Sequence, residues 1–376
     1  MRTDTLIIGG GLSGLSLAYW LAREHRPFLL MEARDRLGGR ILSRPADEGT
    51  ATTDARYDLG PAWMWPAHQP LMQQLLMELG LSVFAQYTQG GMLYEDAGHS
   101  APQKHHDPSA HDASYRLAGG IGRIIELLSA TLPAESLLLG RRAVRVMQQE
   151  STVEVEILDA QTSRMRITAQ QVVLAVPPRL LARTVEFEPA LPSAVRKQWI
   201  NTPTWMAGQA KVVILYATPF WRTQGLSGEV FSRRGPLTEI YDASPASGGP
   251  YALFGFVGIS ADGRRQLGEA ELRRLCLVQL RRLFGDDASL PLAVFIKDWS
   301  EDALTATDDD RFAPAHHPDY GDIVGERTLW QGRLIRAGSE TASTSGGYVE
   351  GALVAAQEAL AQITRGAHGN VIKPAV

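Results

Sequence analysis

The chain has 376 residues, 44% apolar and 21% charged, enough for a large buried core arranged as two domains in one body. A formal charge of −4 argues against a nucleic-acid surface as its main business. A single cysteine, Cys276, leaves no internal disulfide and suits a reducing compartment.

Thr5-Leu6-Ile7-Ile8 is a short apolar run of the kind that forms a buried strand in a parallel sheet. Gly9, Gly11 and Gly14 follow as G-x-G-x-x-G, and Leu12, Leu15, Tyr19 and Ala22 continue at helical spacing. Gly9 permits a tight turn, Gly11 lets backbone approach a pyrophosphate, and Gly14 lets helix and strand pack closely. The N–H groups of Leu12 and Ser13 open the helix toward the phosphates, at its positive end. Pro27 breaks the pattern, and Phe28-Leu29-Leu30-Met31 reads as a second buried strand. It ends at Glu32, roughly 20 residues on, where a carboxylate can hydrogen-bond a ribose. An acid there points to FAD or NAD and away from NADP. The glycines and strand–helix pattern also mark this N-terminal stretch as fold and not as a signal peptide.

Glu32-Ala33-Arg34-Asp35-Arg36-Leu37-Gly38-Gly39-Arg40 resembles the E-A-x-x-R-x-G-G-R segment of the flavin amine oxidase family. That family includes monoamine, polyamine and L-amino acid oxidases, with protoporphyrinogen oxidases and carotenoid desaturases as more distant relatives. A second glycine pair allows another close backbone approach, and Arg40 can neutralise pyrophosphate charge. Ile41 to Arg56 is polar and expected as a loop covering the cofactor. Asp58-Leu59-Gly60-Pro61-Ala62-Trp63 is similar to the family's D-x-G-x-x-W/Y segment, which runs beside the flavin.

Further along, Gln69 to Gly80 has helical periodicity with a C-capping glycine. Gly91 to Gly98 is expected as a strand entering a turn. Gly98 to Ser114 holds His99, His105, His106 and His111, whose spacing matches no metal-ligand set; it reads as a solvated loop, as does the pair His316-His317. Leu117 to Gly122 opens a helix through about Thr131 that resembles the family's G-G-x-x-x-L helix. Leu137 to Leu158 reads as strands, and Ala143-Val144 resembles the place where backbone meets the adenine. Val172 to Pro178 is a buried strand stopped by proline, similar to the family's V-I-x-A-x-P-P.

Ala210 to Tyr216 alternates so that Lys211, Val213 and Leu215 share a face. Taken alone, Lys211 is readable as an edge-strand lysine reaching outward to water. The run Lys211 to Trp221 is similar to the family's K-x-x-x-x-Y-x-x-P-F-W, which implies a lysine facing flavin N5 through a water. Pro236 to Pro245 and Phe254 to Ala261 resemble further strands of the family's substrate sheet. Glu269 to Phe284 is a helix with Leu272, Cys276, Leu280 and Leu283 on one face and four arginines largely outside; Cys276 is expected to be packed and inert. Phe295 to Trp299 is another strand, and Trp299 matches a tryptophan the family sets near the flavin.

The last motif is Leu334 to Ala342, a strand with the glycine turn Gly338-Ser339-Glu340, followed by Gly347-Tyr348-Val349 opening a helix through about Thr364. It resembles the family's A-G-x-E-x-A…G-x-x-x-G-A segment, whose helix N-terminus would favour negative charge on the reduced flavin. The fold implied is α/β: a discontinuous Rossmann-type FAD-binding domain (1–83, 117–200, 300–376) with a smaller α+β substrate domain on a mostly antiparallel sheet (84–116, 201–299).

The resemblance implies oxidation of an amine to an imine by hydride transfer to flavin N5, with Lys211 and Trp299 at the flavin and Tyr348 as one wall of an aromatic cage. The flavin-attaching cysteine of monoamine oxidases is missing from Thr307–Phe312, which holds Asp308-Asp309-Asp310, so FAD is expected to be non-covalent. The second cage aromatic is missing there too, with Phe312 as a candidate replacement. A first insertion cut to Phe84–Arg116 implies a more open pocket, completed by a second copy, a partner chain or a moving loop. A desaturase-like or protoporphyrinogen-oxidase-like enzyme, and a flavin-binding protein without turnover, stay open as alternatives. No run is long enough to span a bilayer, and the polar tail Arg365–Val376 resembles no hydrophobic anchor, so a soluble, cytoplasmic protein is expected.

Overall fold

The computed structural model describes residues 1–46, 55–99, 101–106, 113–312, 314, 316–320 and 328–369. The apolar runs become a parallel sheet core. Arg2–Ile8 lies between Phe28–Met31 and Arg164–Leu174, parallel to both. Leu137–Leu138 and Leu334–Arg336 extend the parallel set on either side. The register aligns Ile8 with Met31 and Leu174, and Leu174 with Arg336, so the carboxyl ends of these strands share one edge of the sheet. Ligands of open α/β sheets bind at that edge. The first half of Arg164–Leu174 runs on into an antiparallel meander with Val153–Leu158 and Arg142–Gln148.

Both faces of this sheet are covered, which is why Phe28–Met31 and the carboxyl ends of Arg2–Ile8 and Arg164–Leu174 are apolar. On one face the helix Leu12–Arg23 packs with Gly122–Ala130 and the final helix Val349–Gly369, burying Leu15, Ala18, Leu128, Leu353 and Ala356. Each fully buried leucine contributes about 1.5–3 kcal/mol. On the other face Leu181 and Trp199 close a second core from the helices Pro178–Thr184 and Ser193–Asn201.

A second sheet has the order Ala293–Asp298, Ala210–Tyr216, Tyr251–Val257, Leu237–Asp242, Leu226–Ser232, Gly91–Glu95 and Gln103–His105. Its pairs are antiparallel except Leu226–Ser232 with Gly91–Glu95. The helix Glu269–Phe284 covers the outer face with Leu272, Cys276, Leu280 and Leu283, as its spacing predicts. Val213, Leu215 and Phe254 pack inward against Tyr57 and Leu59.

Three expectations are corrected. The lysine strand is internal, flanked by Tyr251–Val257 and Ala293–Asp298, so the outward edge reading of Lys211 fails: both sides of the strand are already hydrogen-bonded. Within the expected loop Gly98–Ser114, Gln103–His105 forms a strand on Gly91–Glu95; His111 lies outside the described residues. The loop Ile41–Arg56 has residues 47–54 outside the described set, and its ends pair as Ser43–Pro45 with Arg56–Asp58. Of the tail, residues 370–376 also lie outside it. Among the described residues no helix is long and apolar enough to cross a membrane.

Candidate active site

A cavity of about 410 Å3 opens at the shared strand edge and runs between the two sheets. Its first wall is the glycine turn. Gly9 has φ +110° and donates its N–H to Met31 O at 2.8 Å; a Cβ there would stand 2.4 Å from Ala175 O. Gly14 sits behind this turn, where a Cβ would meet Gly9 O at 2.0 Å, so it packs helix on strand and does not line the cavity. Gly11 is the opposite case: a Cβ would meet nothing within 4 Å, which makes it an open cradle. It caps the helix Leu12–Arg23 without a side-chain bond, leaving the N–H groups of the first turn toward the space lined by Leu12 and Ser13. Gly38 donates to Gly10 O at 2.8 Å, and the Cβ position of Gly39 lies 3.3 Å from Gly11 Cα, so the two glycine pairs form one backbone surface.

Glu32 is buried at the end of its strand and lines the cavity with Ala33 and Arg34. Its carboxylate accepts from Gly10 N at 2.8 Å and Arg34 N at 2.9 Å, which holds it in place. The Arg34 guanidinium reaches Asp302 at 2.6 Å and Thr305 at 2.8 Å. Farther along this end the lining includes Ala143 but not Val144, which sits where the strand's register shifts between Ala143 and Arg145.

The closing turn meets the first from across the cavity. Ser13 Oγ donates to Ala337 O at 2.5 Å, tying the two turns together. Gly338, Ser339 and Glu340 line the cavity, and a Cβ on Gly338 would stand 2.7 Å from Val176 O. Arg40 lines the cavity too, held by the fully buried Glu340 at 2.7 Å and by donation to Ser339 Oγ at 2.9 Å. Gly347, Tyr348 and Val349 bring the N-terminus of the last helix to the cavity. Glu350, in that helix's first turn, accepts from the N–H groups of Leu71 and Met72 and so caps the helix Pro70–Glu78.

Gly60, Pro61, Ala62 and Trp63 pass along the middle of the cavity. Lys211 Nζ donates to Gly60 O at 3.1 Å and lies 4.1 Å from the centroid of Phe254. Burial lowers its pKa from 10.5 to about 7, against the opposing pull of Asp58. Asp58 is itself pushed up by burial, although it accepts from Ser43 Oγ and Ile121 N. Trp299 donates from Nε1 to Leu59 O at 3.0 Å and lines the same space. Trp63 stands edge-on to Tyr241 at 4.7 Å and close to Phe254 at 5.1 Å.

Sequence reasoning missed Phe254, Phe256 and Trp205, which also line the cavity. Phe254 and Phe256 pair with Val213 and Lys211 in the neighbouring strand, a register no local pattern specifies. Phe312 is 81% exposed and contributes no wall, while Asp309 and Asp310 turn to Arg183 and Arg179, each at 2.6 Å. His317 is half-buried against Tyr348, so its reading as a solvated loop residue is corrected. Cys276 is remote, in the core of the second sheet, with its thiol pushed up to about 12 by burial.

Open backbone at Gly11, a fixed acid at Glu32 and two converging helix N-termini fit a dinucleotide, and Lys211 and Tyr348 line the same cavity. The comparisons with known proteins agree. Residues 82–364 match the model of the flavin containing amine oxidoreductase family, and residues 7–79 match that of the NAD(P)-binding Rossmann-like domain. The chain is 26% identical to putrescine oxidase of Kocuria rosea, over 96% of this chain and 95% of the relative. It is 24% identical to a probable flavin-containing monoamine oxidase A of Dictyostelium discoideum, over 93% and 95%. Its fold matches wild-type putrescine oxidase bound to putrescine with a TM-score of 0.77 at 21% identity, covering 97% of this chain and 100% of that one. Cyclohexylamine oxidase from Brevibacterium oxydans IH-35A gives 0.79 at 19%, covering 97% and 99%. At those identities the two structures speak for the fold alone.

Proposed function

The chain belongs to the flavin-containing amine oxidoreductase family, and we propose that it oxidises an amine with an apolar body to the corresponding imine. One observation carries the choice of substrate class: the far end of the cavity is walled by Trp63, Trp205, Phe254, Phe256 and Tyr348. Bound FAD would supply the two-electron acceptor, taking a hydride equivalent from the carbon that bears the amine while the nitrogen proton leaves to water. The imine then hydrolyses, and oxygen or another acceptor takes the electrons onward.

The first sheet and its helices carry the cofactor in this reading, and the second sheet carries the substrate wall. Gly11 and Gly39 admit the pyrophosphate, and Glu32 holds the ribose hydroxyls. Lys211, kept neutral above about pH 7 by its burial, holds a water at the reacting face through its lone pair or N–H. Trp299 and Gly60–Trp63 exclude bulk water along the ring, which strengthens every polar contact inside. Tyr348 orients the amine. Attachment is non-covalent, because the chain's one thiol lies in another core. The same buried, unpaired thiol supports a reducing, cytoplasmic setting. Besides the amine, a second copy or a partner chain is the candidate for closing the pocket over half-exposed Tyr348.

Anaerobic mixing of the FAD-loaded protein with benzylamine, cyclohexylamine, putrescine and L-amino acids tests the reading through bleaching of the flavin band. Apolar monoamines are expected to bleach it fastest. A protein that dithionite bleaches and no amine does would overturn the proposal.

A further inference from the structure

A group of rings at the far end of the cavity is held more tightly than packing alone requires. The His317 imidazole stacks on Tyr348 at 4.4 Å with 12° between planes, and it meets Trp205 edge-on at 4.8 Å and Tyr320 at 5.6 Å. Its Nε2 lies 3.0 Å from Gly346 O, an acceptor, so Nε2 carries the proton and the ring cannot turn without losing that bond. Tyr320 is buried and donates to Pro203 O at 2.7 Å, which anchors residues 317–320 to the segment leading into Trp205. The turn beneath admits no side chain: a Cβ on Gly346 would come 2.6 Å from Tyr320, and one on Gly347 3.0 Å from Trp205. Both flanking segments hold a non-glycine residue in left-handed backbone, Met206 at φ +62° and Ser345 at φ +53°. Such conformations persist where the surroundings dictate them, and they gather at ligand sites.

Trp205 and Tyr348 line the cavity, whereas His317 touches both rings without lining it. We propose that Trp205 is a substrate-facing wall working with Tyr348, and that His317 is the positioning residue that sets the two rings relative to each other. The pair then favours amines carrying a ring over open-chain amines of equal size, since a flat or cyclic body meets both planes. The inference rests on the amine-oxidation reading for its substrate, though not for its binding test.

The test uses the FAD-loaded protein and benzyl alcohol, which resembles benzylamine without carrying an amine to oxidise, with binding read from the difference spectrum of the flavin. Trp205→Ala and His317→Ala are each expected to weaken benzyl alcohol binding and raise KM for benzylamine by about tenfold, with a smaller change in kcat. Trp205→Phe is expected to restore most of both, and His317→Phe, which stacks on Tyr348 but cannot donate to Gly346 O, only part. Should Trp205→Ala fail to load flavin, Trp205→Leu carries the same expectation. Alanine variants that bind benzyl alcohol as the unaltered protein does, or an unaltered protein that does not bind it, would overturn the assignment. If no amine bleaches the flavin yet benzyl alcohol binds in a Trp205-dependent way, the reaction reading fails and the wall stands.

Discussion

Replacing Lys211 by Met gives the sharpest check on the electrostatics. Methionine keeps the length of the chain and packs on Phe254 through its sulfur, so the main change is loss of a buried amine. Burial lowers the folded-state pKa to about 7 from 10.5. The unfolded chain therefore binds this proton more tightly, and between pH 7 and 10.5 stability rises with pH. Integrated from pH 7 to pH 9, the gain from this one group is about 2 kcal/mol. Below pH 7 both states are protonated and the slope vanishes. Urea unfolding of both proteins at saturating FAD, followed by tryptophan fluorescence, should show the unaltered protein gaining that amount over Lys211→Met across the window. The kcat profile should lose a rising limb near pH 7 in the variant. Parallel stability curves for the two proteins, with a lysine 13Cε signal titrating near 10, would refute the reasoning.

Gly11→Ala and Gly14→Ala should separate cofactor binding from folding. The first adds a methyl to open space, so apoprotein Tm should hold while FAD affinity, read by titration, falls about tenfold or more; the second drives a methyl into Gly9 O and should cost about 3 kcal/mol in thermal or urea unfolding. Glu32→Gln keeps the shape but weakens a charge-assisted ribose bond by about 1.5–3 kcal/mol, so FAD should bind roughly 10- to 100-fold more weakly in equilibrium dialysis. Cys276 should stay unmodified by thiol reagents at pH 8 in the native protein, and Cys276→Ala should retain the yellow colour; heat denaturation should release all FAD to the supernatant, and a coloured precipitate would contradict a non-covalent link.

Local chemistry was readable before the fold was known. Gly9, Gly11 and Glu32 announce themselves because a phosphate cradle needs its parts at short, set spacings, and the helix Glu269–Phe284 follows its 3.6-residue period to the residue. The cost of burying a lysine pointed to Lys211, but alternation looks the same in an edge strand and an internal one, so its two flanking strands could not be foreseen. Phe254 and Phe256 depend on a register between distant strands, and Trp205 and His317 on a contact between loops more than a hundred residues apart. Gly14 packs helix on strand as its place in the spacing predicts, whereas the register shift between Ala143 and Arg145 depends on pairing with Val153–Leu158 and has no local signal.

The bond from Ser13 to Ala337 has a consequence for biosynthesis. A nascent chain emerging from the ribosome presents its first turn early, but the opposing half of the grip follows 324 residues later. Until then the early turn has nothing to close against, and FAD meets half a clasp. Polypeptides truncated ahead of Ala337 should come off colourless and open to proteases, so vitamin supply acts only on chains that already carry both turns.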